Sequence, residues 1–112
     1  MAMQIEFLYS GQTGRSDAAE EALRLAIEAS ELECEVTYTE VNGMEDAKDK
    51  KFLGSPSIRV AGVDVEYGER EPDEYQAGTR YYNTPEGWKP YPHARLIANT
   101  ILEMAEKQAK KA

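Results

Sequence analysis

From Met3 to Tyr9 the chain alternates, with Ile5, Phe7 and Tyr9 on one side and Leu8 on the other. Apolar residues on both sides predict a strand buried on two faces, near the middle of a sheet. Ser10-Gly11-Gln12-Thr13-Gly14 ends that pattern, and Ser16-Asp17 supplies an N-cap and an acidic first turn. Ala18, Ala22, Leu25, Ala26 and Ala29, with Leu23 and Ile27, recur at helical spacing as far as about Ser30. The stripe is broad, so this helix packs on a sheet. Leu32, Cys34, Val36 and Tyr38 then alternate with Glu33, Glu35, Thr37 and Thr39, the pattern of a strand with one wet face at a sheet edge.

Asn42-Gly43 signals a turn, and Met44 to Leu53 is polar but compatible with a helix, with Met44, Ala47, Lys51 and Phe52 toward one side. Gly54-Ser55-Pro56 is a second turn, followed by the β-branched run Ser57-Ile58-Arg59-Val60, a tight Ala61-Gly62 turn and a further run, Val63-Asp64-Val65. Pro56 has no N–H for a ladder, so it opens a strand, and in such a turn its peptide bond can be cis. Glu66 to Tyr91 is rich in Gly, Pro and charge and reads as mostly loop with at most a short helical turn. Pro92 suits the first turn of a final helix whose buried face is Leu96, Ile97, Ile101, Leu102, Met104 and Ala105. Lys107, Lys110 and Lys111 favour its C-terminal end. The order β-α-β-α-β-β-α predicts one α/β domain over residues 1–112. Its four-stranded mixed sheet is flanked by helices, with a right-handed crossover first and an antiparallel hairpin later.

Charge narrows the function classes. A net charge of -8 and a pI near 4.7 disfavour nucleic acid and anionic membrane surfaces as partners. No apolar run is long enough to span a bilayer, and the N-terminus lacks signal-peptide regions, so a cytoplasmic location is expected. Cys34 is the single cysteine, which excludes dithiol chemistry within one chain; it is expected to act as a small buried hydrophobe. His93, the one histidine, lies at a helix start without a Cys or His partner nearby, so a neutral capping role is expected and a metal site is not. Asp64, Glu66, Glu69, Glu71, Asp73 and Glu74 lack the spacing of a calcium loop and read as a solvated acidic edge. No cofactor is expected.

The stretch Gly54-Ser55-Pro56-Ser57-Ile58-Arg59-Val60, with the hairpin after it, resembles the second half of a thioredoxin-like domain. In that superfamily a cis-proline turn leads into a hairpin and faces a Cys-X-X-Cys at the start of the first helix. Within it, the chain resembles a small glutaredoxin-like family with a Gly-Ser-Pro-Thr-Ile-Arg-Val turn and a later Cys-Arg-Leu-Tyr motif. Here the later motif reads Thr79-Arg80-Tyr81-Tyr82, and the Cys-X-X-Cys slot reads Thr13-Gly14-Arg15-Ser16, so both cysteine-bearing motifs have lost their cysteines. A helix N-terminus makes a thiol a usable thiolate but leaves a hydroxyl protonated at neutral pH, and thiol–disulfide exchange needs sulfur.

The resemblance therefore implies a thioredoxin-like binding or interaction module without redox activity. Its docking corner is formed by Thr13, Gly14, Arg15, Ser16, Ser55 and Pro56, and the resemblance implies that Ser55 offers its backbone to an extended peptide or a glutathione-like ligand. Outward N–H groups and Arg15 also suit a small anion. Tyr67, Tyr75, Tyr81, Tyr82, Trp88 and Tyr91 crowd the segment before the last helix, and Tyr81, Tyr82 and Trp88 are expected to wall a groove shared with that corner. Two alternatives are a glutathione-transferase-like enzyme, with Tyr9, Ser10 or Thr13 stabilising a thiolate, and a structural subunit that dimerises through the acidic edge or the aromatic loop. The chain is expected to be a monomer or a weak homodimer.

Overall fold

The structure is a computed structural model that describes residues 2–11, 14, 16–68 and 75–111, with the backbone alone for 76, 77 and 111. Among these residues are three helices and a four-stranded mixed sheet. β1 (Met3–Ser10) is central, as its two-sided pattern requires. On one side it pairs in parallel with β2 (Cys34–Val41), in unbroken register from Met3 with Cys34 to Ser10 with Val41. On the other it pairs antiparallel with β4 (Ser57–Val60), which continues antiparallel to β5 (Val63–Asp64). Ala61 and Gly62 both have positive φ (52° and 83°), the backbone of a two-residue hairpin turn whose twist matches its strands.

The amphipathic helices decide where the core lies. α1 (Asp17–Ser30) starts at Ser16, whose Oγ accepts the Ala19 N–H at 3.2 Å. With α3 (Ala94–Lys111) it covers the sheet face made by Met3, Ile5, Phe7, Ile58 and Val60. Leu25 and Leu102, though in phase with the apolar stripes, sit at their margins and are nearly half exposed. His93 begins α3 as a cap, its Nδ1 accepting the Arg95 N–H at 3.0 Å; buried Pro92 precedes the helix instead of occupying its first turn.

Two expectations need correction. The second helix, α2 (Gly43–Asp49), stops short of Leu53. Lys51 is left-handed (φ 55°) and the Phe52 N–H returns to the Ala47 carbonyl at 2.8 Å, which turns the Phe52 ring into an apolar cluster with Leu8, Val41 and Ala47 on the other sheet face. Burying that ring outweighs one more helical turn. Leu53–Ser55 then forms β3. Glu66 to Tyr91 also carries strands that its composition does not announce: β6 (Gln76–Thr79) pairs in parallel with β3, and β7 (Tyr82–Thr84) forms a hairpin with β8 (Gly87–Lys89). Gln76-Ala77-Gly78-Thr79 has no alternation to announce a strand; its extended state is stabilised by a partner more than twenty residues earlier.

Candidate functional site

Three segments meet at Ser55. The end of β1 arrives through the Ser10 N–H, which donates to Ser55 Oγ at 3.0 Å, while the Gly14 N–H returns to the Ser10 carbonyl at 2.8 Å. The strand ending at Thr79 arrives through the Arg80 N–H, which donates to the Ser55 carbonyl at 2.8 Å. The Ser55–Pro56 peptide is cis, and beyond it the Ser57 hydroxyl donates to the Gly54 carbonyl at 2.7 Å. A turn with so many backbone groups away from water needs these partners.

Beneath the turn lies a buried ion pair. Arg80, 4% exposed, donates from Nη1 to Asp64 Oδ1 and from Nη2 to Asp64 Oδ2, both at 2.8 Å, the planar two-bond match between guanidinium and carboxylate. Nη1 also reaches Ser57 Oγ at 3.2 Å and Nη2 reaches Glu66 Oε1 at 3.1 Å. The guanidinium lies over the Tyr82 ring at 4.5 Å and the Tyr67 ring at 5.5 Å. Burial pushes the Asp64 carboxyl up, but the hydrogen bonds and charge of Arg80, with the N–H groups of Tyr67 and Glu66, hold it below its ordinary value. Burial raises the Tyr82 phenol, so it stays a neutral donor, and it donates to the Pro56 carbonyl at 2.6 Å.

This network corrects the expectation of a solvated acidic edge. Asp64 is buried, because β5 turns it inward against Arg80, whereas Glu66 is exposed as expected; Glu69, Glu71, Asp73 and Glu74 lie outside the described residues. The signal that could have revealed the pair is local. An acid inside the β-branched run Val63-Asp64-Val65 is destined for burial and requires a cation, and Arg80 is one of two basic residues between Arg59 and Lys89.

The other predicted residues are distributed as follows. Gly14 and Ser16 are half-buried at the start of α1, whereas Thr13 and Arg15 lie outside the described residues. Ser55 and Pro56 are buried. Tyr82 is fully buried and supports the Pro56 turn from the core side; it is not a wall open to a ligand. Tyr81, between Arg80 and Tyr82, is 59% exposed, and Trp88, opposite Asn83 in the β7–β8 hairpin, is 69% exposed. Tyr9 is half-buried and Ser10 only 2% exposed, with its N–H given to Ser55. Cys34 is half-buried against the core, and that burial raises its thiol pKa. Among the described residues no group of three or more His, Cys, Asp or Glu side chains is placed to hold a metal ion, and no helix is long and apolar enough to cross a membrane.

Two clefts lie elsewhere. One of about 290 Å³ separates Glu66 and Tyr67 from Thr100, Glu103 and Lys107, and one of about 210 Å³ lies between Gln4, Thr37 and Arg59; neither is lined by Ser55 or Pro56. Set against family models, curated proteins and solved structures, the chain has no match.

Proposed function

We propose that the chain is a thioredoxin-like binding module without redox chemistry, which docks a short peptide or glutathione-like ligand, through its carboxylate, at the corner above Ser55. The observation that carries this reading is the convergence at Ser55 of the end of β1, the Ser55–Pro56 turn and the segment that carries Arg80. A first strand pair that is parallel, followed by an antiparallel hairpin in the same four-stranded sheet, supports this reading. With a single cysteine whose thiol is raised by burial, the chain offers no thiolate pair, so the corner serves recognition.

Because the Ser55 carbonyl already accepts the Arg80 N–H, a ligand meets the rim: Gly14, Ser16 and the exposed Tyr81 ring. The Ser16 hydroxyl accepts from Ala19 through a lone pair and keeps its proton to donate. Titration of the isotope-labelled chain with reduced glutathione, an acetylated tripeptide and inorganic phosphate tests this by amide chemical shifts. The expected result is movement of Gly14, Ser16 and Tyr81 with at least one of the three. No movement at those amides with any of them, or movement confined to another face, overturns the reading.

A further inference from the structure

We propose that the open edge of β2 is a docking site for an extended segment of another protein that carries lysine or arginine on one face and apolar residues on the other. β2 is the outermost strand of the four-stranded sheet, paired only with β1 among the described strands. The Glu33 carbonyl accepts the Met3 N–H at 2.8 Å and the Val41 carbonyl accepts the Gly11 N–H at 3.0 Å, so odd-numbered residues bond inward to β1. Successive residues of a strand point their backbone groups to opposite sides, so the N–H and C=O of Cys34 and Val36 face away from the sheet. At the far end the Glu40 carbonyl takes Lys50 Nζ at 3.0 Å, which marks where the outward edge ends.

Of the devices that close an exposed edge, β2 carries charge alone. Over its eight residues β2 has no proline, no lysine and no break in register. Its side chains form two rows suited to a strand-shaped partner. Half-buried Cys34 and Val36 and exposed Tyr38 (42%) make an apolar row on the face shared with α1 and α3. Exposed Glu33 and Glu35, with Thr37 next in line, make an acidic row on the other face.

Charge selects the occupant. From Leu25 to Ala47 there is no Lys or Arg, while Glu31, Glu33, Glu35 and Glu40 lie on the strand or just before it in a chain of net charge -8. The glutamates that discourage a second copy from pairing here are complementary to a basic strand, for which backbone hydrogen bonds supply affinity and the alternating rows supply specificity.

The test is titration of the labelled chain with the capped peptide Lys-Val-Lys-Val-Thr-Val-Lys, with the Glu-for-Lys peptide as control, read by amide shifts and hydrogen exchange. The expected result is shifts and slowed exchange at Cys34 and Val36 with the basic peptide alone. Charge reversal by E33K with E35K, both on exposed side chains, weakens binding about tenfold or more. Val36→Pro removes one outward N–H while leaving the bonds to β1, and abolishes the slowed exchange at Cys34. Equal binding of the acidic peptide, shifts confined to another surface, or sedimentation showing self-association of the unmodified chain through this edge overturns the proposal. If Val36→Pro fails to fold, the charge-reversal pair decides alone.

Discussion

Replacing Arg80 by methionine tests the reading of the Ser55 turn most directly. Methionine keeps an unbranched apolar stem over the Tyr82 ring but strands Asp64, which is 7% exposed, without its cation. Breaking a buried pair from one side costs about 3–5 kcal/mol, because the remaining charge keeps its desolvation penalty and loses its compensation. A chain of 112 residues has a total stability of roughly 6–17 kcal/mol at 0.05–0.15 kcal/mol per residue. The single substitution thus removes a large fraction of it. With a urea slope of about 1.5 kcal/mol/M, the unfolding midpoint falls by roughly 2–3 M. Adding Asp64→Asn removes the stranded charge, while the amide oxygen still accepts the Glu66 and Tyr67 N–H groups, each 2.9 Å from Asp64 Oδ2. The double variant should recover at least half of the loss. A cost below about 1 kcal/mol for Arg80→Met, or a double variant that costs the sum of the two singles, would refute a buried, mutually dependent pair.

Acid sensitivity follows from the same carboxylate. Its folded-state pKa lies below its unfolded value of about 3.9, so its stabilisation is complete above that value and is lost as pH falls through the folded value. Between pH 6 and pH 3 the urea midpoint of Asp64→Asn should therefore fall less than that of the unmodified chain; parallel curves would contradict this. Ser16→Ala removes the bond to the Ala19 N–H and should cost about 1 kcal/mol in urea unfolding, whereas Ser16→Gly costs only a few tenths. Tyr82→Phe leaves the buried Pro56 carbonyl without its 2.6 Å donor and should cost about 1–3 kcal/mol by thermal or urea unfolding, and an unchanged midpoint would show that water replaces the hydroxyl.

What could be read along the chain is what repeats along it. β1, α1 and β2 are announced by periods of two and of 3.6, the Ser16 cap by residue type, and the Ala61-Gly62 turn by its place between two β-branched runs. The corner was legible only where a short motif carried it. The turn motif marks Ser55-Pro56, while Arg80 and Tyr82 fall within a motif whose cysteine position holds threonine. Thr13 and Arg15 lie outside the described residues.

The amino-acid sequence by itself determined the α/β alternation, the central place of β1 and, through one cysteine, the impossibility of an internal dithiol. Each of these is a property of neighbours or of a count. Tertiary structure alone decided that Gln76–Thr79 becomes a strand, that Phe52 leaves the helix for the core, and that Asp64 and Arg80 meet sixteen residues apart beneath the Ser55 turn. Burial and ion pairing there depend on which distant groups exclude water, and local periodicity carries no record of them.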